Sequence, residues 1–333
     1  MSVDSARILL AALTLAALGS PATAHHSGAM FDITRQIVIA GVVTEFAWKN
    51  PHSYLTIRTE GSNSVEQLIE VGPPATLRPL GLTQDAVRVG DAVSVLAYPP
   101  KRGTIALGRE LTKADGSVWP LLLHPGSRRP DPVRSASSIQ GNWVSQGFFA
   151  IFNANGVLTW PFTAKGRAHF DAQDPLQTSH VRCVPVAAPM LMLYPVTNRI
   201  QIDGDVVRMR IDWMDSERVI YMDGRGHPQN GERSLHGHSI GSWEGETLVI
   251  DTTQFADHSD GNWMFVPSGA GKHLIERLTL TEDRRRLRYE FELSDPEWLA
   301  QPVTHSALFD HHPELAPSGL PCDPEAAKRF LEE

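Results

Sequence analysis

The sequence predicts an all-β protein, in which a small OB-like barrel precedes a larger antiparallel, lipocalin-like β-barrel. Apolar and polar residues alternate with period two in run after run, as half-buried strands require. The runs are short and separated by clusters of Gly, Pro, Asn and Asp, the residues of tight turns. Nowhere do strands alternate with full-length amphipathic helices, the pattern of a parallel α/β sheet.

The chain of 333 residues is long enough for two ordinary domains, each with its own core. Its start is a different kind of sequence. Arg7 precedes "ILLAALTLAALG", and "SPATA" closes with Ala22-Thr23-Ala24. A positive charge, an apolar run and a small-residue cleavage site make residues 1–24 a secretory signal peptide, cut after Ala24. The mature protein is therefore expected in the periplasm or secreted. The apolar run is shorter than the roughly 20 residues a membrane span needs, and no later run qualifies, so no integral span is expected.

Residues 25–123 supply the first barrel. In "QIVIAGVVTEFAWKN", Ile37, Ile39, Val42 and Phe46 mark one strand with a kink at Gly41. "SYLTIRTE", "DAVSVLAYP", "TIALGREL" and "SVWPLLL" continue the strands, and "PATLRPLGLTQDAV" offers the one short helical turn. About five strands in so short a stretch suit a closed barrel of the OB type, because closure removes unpaired edges. Residues 124–138, "HPGSRRPDPVRSASS" from His124 on, read as a linker rich in Pro, Ser and Arg.

Residues 139–333 supply the second barrel. Its clearest strand is "RLRYEFELS", where Leu287, Tyr289, Phe291 and Leu293 share one face and Arg288, Glu290 and Glu292 the other. "VVRMRIDW", "RVIYMDG", "ETLVIDTTQF", "HLIERLTLT" and "VTHSALFD" add further strands. Polar turns such as "MDGRGHPQNGE" predict an antiparallel meander. Cys183 and Cys322 are the two cysteines; neither has a C-x-x-C partner, and an oxidising compartment permits a disulfide between them.

Gly237-His238-Ser239-Ile240-Gly241 matches G-x-S-x-G, the nucleophile elbow of serine hydrolases. An elbow needs a strand into the serine and a helix out of it. Here four glycines surround Ser239, no helical period follows and a strand comes next, so serine-hydrolase chemistry is not expected. A formal charge of −8 gives no support to a nucleic-acid partner, and the one basic run, Arg284 to Arg288, reads as a solvated turn and strand face.

Three resemblances follow from these stretches. "HHSGAMFD", "GVVTEFAWKNPHSYL" and "GDAVSVLAYP" resemble a family of small exported bacterial domains of unknown function, marked by an HHS…FD start and a W-x-N-P-H segment. "RVIYMDGRGHP", "GHSIGSWEGETLVIDTT" and "HLIERLTL" resemble a second uncharacterised exported set, whose members tend to carry one early and one late Cys. Gly141-Asn142-Trp143 is similar to the G-x-W that opens lipocalin barrels, which implies a cavity for one small ligand. None of the three implies an activity.

Two constellations carry the candidate chemistry. Cleavage after Ala24 would leave His25 with an α-amine and an imidazole, and His26 and His52 would complete a nitrogen-rich set suited to copper. The competing reading is a mobile terminus, with His52 capping a turn. In the second barrel, Tyr221, Asp223, Arg225 and His227 alternate along "YMDGRGH", so a strand there would project all four into one cavity. His238 follows in the next loop, and Asp251, Glu276, Arg277 and His305 place polar groups in otherwise apolar strands. The competing reading is an Arg–carboxylate network that plugs the barrel end. The functional reading is a small-molecule pocket with His and carboxylate groups as general acid and base, of lyase, dehydratase or isomerase type. A periplasmic copper-binding protein and a passive ligand-binding module are the alternatives. No nucleotide, flavin or haem motif is present.

Overall fold

In a computed structural model, which describes residues 30–61, 64–124, 127, 134–153, 158–174 and 176–331, the chain forms two closed barrels. The segment expected to be a signal peptide, His25 and His26 lie outside the described residues. No helix among the described residues is long and apolar enough to cross a membrane.

The first barrel is built from β1 (Ile37–Ala47), β2 (Ser53–Thr59), β3 (Glu66–Val71), β4 (Ala92–Tyr98) and β5 (Ala106–Lys113). Their order is β3-β2-β1-β4-β5, and a parallel pairing of β3 with β5 at Ile69↔Ala106 closes the ring. This is the OB connectivity, with β6 (Val118–Pro120) added beside β5. The single long strand β1 pairs with β2 on one side and β4 on the other, and Gly41 sits where it serves both. A Cβ at Gly41 would fall 2.1 Å from the Arg58 carbonyl oxygen, so only glycine lets the strands approach there. The expected helical turn is the short helix α1 (Pro74–Leu77), entirely buried between β3 and β4.

The second barrel runs β7 (Gly141–Ser145), β8 (Thr197–Asp203), β9 (Val206–Ile211), β10 (Ser216–Tyr221), β11 (His238–Glu244), β12 (Thr247–Thr253), β15 (His273–Leu280), β16 (Arg286–Ser294) and β17 (Val303–His311), which returns to β7. Between β12 and β15, β13 (His258–Trp263) and β14 (Val266–Ser268) form a separate ribbon. Eight of the nine seams are antiparallel, as the meander predicts. The ninth is not: β10 and β11 run parallel, in register at Ile220↔Ser239 and Tyr221↔Ile240. β11 begins beside the last two residues of β10 and runs on in the same direction, so segment 222–237 loops out and returns to that end of β10, which a tight turn cannot do.

Trp143 of the G-x-W segment is fully buried in β7 and donates its indole N–H to the Ile139 carbonyl at 2.7 Å. On β16, Leu287, Tyr289, Phe291 and Leu293 all point into the barrel, as their alternation predicts. Between β7 and β8, described residues such as Phe148, Trp160 and Val186 join the core of this barrel. The same stretch contains the helix α2 (Ala164–Asp171) and the wholly buried α3 (Met190–Leu193), so Met190 to Met192 are core. Trp160, Trp213 and Trp263 are core as well, whereas Trp243 is exposed. "FDHHP" ends β17: His311 packs on Trp143 at 4.7 Å between ring centres, and His312 is buried.

Cys183 and Cys322 form a disulfide across a sequence separation of 139 residues. Such a bond fits an oxidising compartment outside the cytoplasm.

Candidate functional site

Strand β10 stops at Tyr221 because Gly224 adopts a left-handed backbone (φ 78°) and Gly226 follows. The alternation of Tyr221, Asp223, Arg225 and His227 therefore does not continue as a strand, and these residues do not enter the barrel. They fold onto its outer wall. Arg225 and Asp223 form an exposed local ion pair, Nη2 to Oδ2 at 2.5 Å, and the guanidinium lies 4.0 Å above the Tyr221 ring. That pairing holds the Asp223 carboxyl at about 2, well below the usual carboxylate range.

On the same wall, register places the next groups side by side. Ile240 pairs with Asp251, and Asp251 with Ile275, so β11, β12 and β15 turn these residues to one face. His227 Nε2 lies 3.2 Å and His273 Nε2 2.8 Å from Asp251 Oδ1. His227 Nδ1 lies 2.9 Å from His238 Nδ1, and His238 stacks on Tyr221. A carboxylate only accepts, so both Nε2–H groups donate to Asp251. In the tautomer that carries its proton on Nε2, His227 accepts at Nδ1 from His238 Nδ1–H, which leaves Nε2 as the basic nitrogen of His238. Partial burial first, and then the charge of Arg225, moves the His238 pKa below its ordinary value.

An open groove of about 510 Å³ begins at Ile275, the register partner of Asp251, and continues over Arg277, Glu290, Glu292 and His305. Arg277 pairs with Glu244 at 2.6 Å on the outer wall. His305 is half-buried, and burial lowers its pKa.

Glu276 points the other way, into the barrel, and is fully buried. Arg218 grips it with two bonds, Nη1 to Oε1 at 2.9 Å and Nη2 to Oε2 at 2.5 Å, and Tyr289 donates its hydroxyl to Oε1 at 2.8 Å. The expected Arg–carboxylate network thus exists, around Glu276 alone among the candidate residues. Ser239 faces the same interior from within β11, is 3% exposed and shares a hydrogen bond of 2.8 Å with Thr252. Strand residues follow it, not a helix, so it is no nucleophile elbow.

His52 lies elsewhere, at the face where the two barrels meet. Its Nδ1 is 2.9 Å from Glu70 Oε1, and both side chains are buried. The second barrel answers with His180, whose Nε2 is 3.1 Å from the Tyr194 hydroxyl. Asp260 fixes the turn that carries His180 by accepting from the Ser179 N–H at 2.8 Å. Among the described residues, no group of three or more His, Cys, Asp or Glu is arranged to hold a metal ion.

Sequence reasoning missed His273, Glu70, His180 and Arg218. A carboxylate inside the apolar run "LIEV" was the available signal for Glu70. The others acquire partners only through long-range contacts.

Residues 12–108 match a family of unknown function, DUF6152. The match ends before the second barrel begins and names no activity. No curated protein matches the chain.

Proposed function

We propose that this is an exported protein that binds a small molecule and acts on it by His–carboxylate acid–base chemistry on the second barrel, of lyase, dehydratase or isomerase type. The observation that carries the reading is the chain Asp251–His227–His238, whose distances fit a proton relay through the two imidazoles. When His238 takes a proton at Nε2, its Nδ1 proton can pass to His227 Nδ1, and Asp251 stabilises the imidazolium that forms. His273 is a second imidazole on the same carboxylate. Arg277, with Glu290 and Glu292 in the adjoining groove, supplies charge to orient a polar substrate, and the groove has the volume of an ordinary small-molecule site. Tyr221 and the Asp223–Arg225 pair position the His238 ring from below. The signal-peptide pattern and the disulfide support a periplasmic or secreted location after cleavage behind Ala24.

Solvent deuterium exchange tests the reading without a known substrate. Wild-type protein in D2O is incubated with a panel of small carbonyl and hydroxy compounds, and loss of C–H signals is followed by NMR. One class should exchange or lose water, and His238→Gln should slow it about 10²–10⁴-fold while the fold is retained. A folded His238→Gln protein with undiminished rate, or no turnover of any panel member by the wild type, would sink the proposal.

A further inference from the structure

We infer that the cavity between the two barrels is a binding site for a small, neutral, hydroxyl-bearing ring compound. The cavity holds about 110 Å³, is lined by both barrels and is partly open to solvent. Its walls are mostly apolar: Phe148, Phe149, Trp213 and Met264 from the second barrel face Val71 and Leu122 from the first. An apolar cavity of about 150 Å³ accepts benzene, so this one takes about one small ring and no more.

Two buried polar atoms say what the ring must carry. Glu70 lines the cavity at 2% exposure; one carboxylate oxygen is taken by His52, while Oε2 has no hydrogen-bond partner among the described residues. Trp213, 6% exposed, also lines the cavity, and its indole N–H has no partner either. Buried polar groups are nearly always satisfied, and an orphaned charged oxygen is the costliest exception. An orphan acceptor and an orphan donor on one cavity ask for a group that both donates and accepts. A hydroxyl does both, an alkane does neither, and a carboxylate would bring a second negative charge against Glu70. The Trp213 ring stacks on Tyr194 at 4.3 Å between centres and 10° between planes, which gives the site a flat aromatic wall. This site lies apart from the histidine chain on the barrel's outer wall and does not depend on its role.

Isothermal titration of the exported protein with phenol, toluene and benzoate tests the assignment. Phenol should bind saturably, toluene at least about tenfold more weakly, and benzoate not at all, since a hydrogen bond to a charged group is worth a factor of ten or more. Glu70→Gln should weaken phenol at least about tenfold and leave toluene unchanged. Should that variant fail to fold, Trp213→Phe, which conserves the aromatic wall, should lose severalfold of the preference for phenol. Equal binding of phenol and toluene overturns the hydroxyl recognition. Binding of none of the three by folded wild type overturns the site itself, and tightest binding of benzoate overturns the role of Glu70.

Discussion

At the scale of single residues, burial decides what each titratable group can do. His236 is mostly buried beside Arg218 and Lys272; burial first, then those charges and His258, lowers its pKa to about 4. The unfolded ring takes its proton near 6.5, so between those values the unfolded chain binds more protons than the folded one. The contribution is complete above about pH 6.5 and disappears as the pH falls toward 4, a span equivalent to about 3 kcal/mol. His236→Phe should remove that part of the acid slope when melting temperature is measured from pH 7 to 4; an identical slope in the variant would assign the acid lability to other groups. His238 differs because it is only partly buried and its pKa is lowered less. Activity carried by its basic form should rise with pH along a limb centred below the ordinary histidine value and then level off. Ser239 gives the opposite expectation. Its hydroxyl is buried against Thr252, so Ser239→Ala should keep most activity and wild type should resist a fluorophosphonate probe. Labelling of the wild type, with activity abolished in a folded variant, would restore the hydrolase reading.

At the scale of strands, the weak point of the second barrel is the parallel seam, where β10 and β11 share two register positions. Arg218 of β10 reaches Glu276 of β15, two strands beyond β11, and so ties the barrel together across that seam. Breaking one member leaves a buried charge alone. Glu276→Ala should therefore cost about 3–5 kcal/mol in urea unfolding, while the double change Arg218→Met with Glu276→Leu should recover most of it. Single variants that cost under about 1 kcal/mol would show the tie to be idle. The alternation of β16 and the turn residues made strand positions readable in advance. Direction and partnership were not. Hydrophobic period says which face is buried but not whether a neighbour runs parallel, so the β10–β11 crossover was hidden. The same limit explains why Tyr221 to His227 were expected inside the barrel: the glycines at 224 and 226 were there to be read, and they end the strand before the alternation matters. The grouping of His227, His238 and Asp251 was half legible, since each stood out in its own segment and only register could bring the three together. Glu70 was marked only by a carboxylate in the apolar run "LIEV", which does not name its partner His52, and no local pattern marks His180.

At the scale of the whole molecule, the C-terminal segment is the strap between the barrels. Asn50 donates to the Leu320 carbonyl at 2.9 Å and accepts from the Asp323 N–H at 2.7 Å, and the Tyr54 hydroxyl donates to the Ala326 carbonyl at 3.1 Å. Lys49 adds an ion pair to Asp323 at 2.6 Å, and the short helix α4 (Pro324–Lys328) packs on the turn of His180. Cys322 lies between these contacts and is bonded to Cys183, which ends that same turn. One covalent bond therefore holds the strap to the second barrel while hydrogen bonds hold it to the first. Arg78 and Asp212, at 3.3 Å, make a second link between the barrels, buried on the Asp212 side. A loop of this length closed by a disulfide is stabilised by about 4–5 kcal/mol in the chain-entropy picture, mostly through the unfolded chain. Geometry adds a local consequence: without the bond, the strap is kept docked by a surface ion pair, a few hydrogen bonds and the packing of the small buried Ala326 and Ala327. Reduction should therefore lower the melting temperature. Hydrogen exchange should also quicken in 49–54, 179–183 and 320–328 under conditions where β15 to β17 remain protected. An unchanged melting temperature with unchanged exchange at 49–54 would mean that the hydrogen-bonded contacts hold the strap unaided.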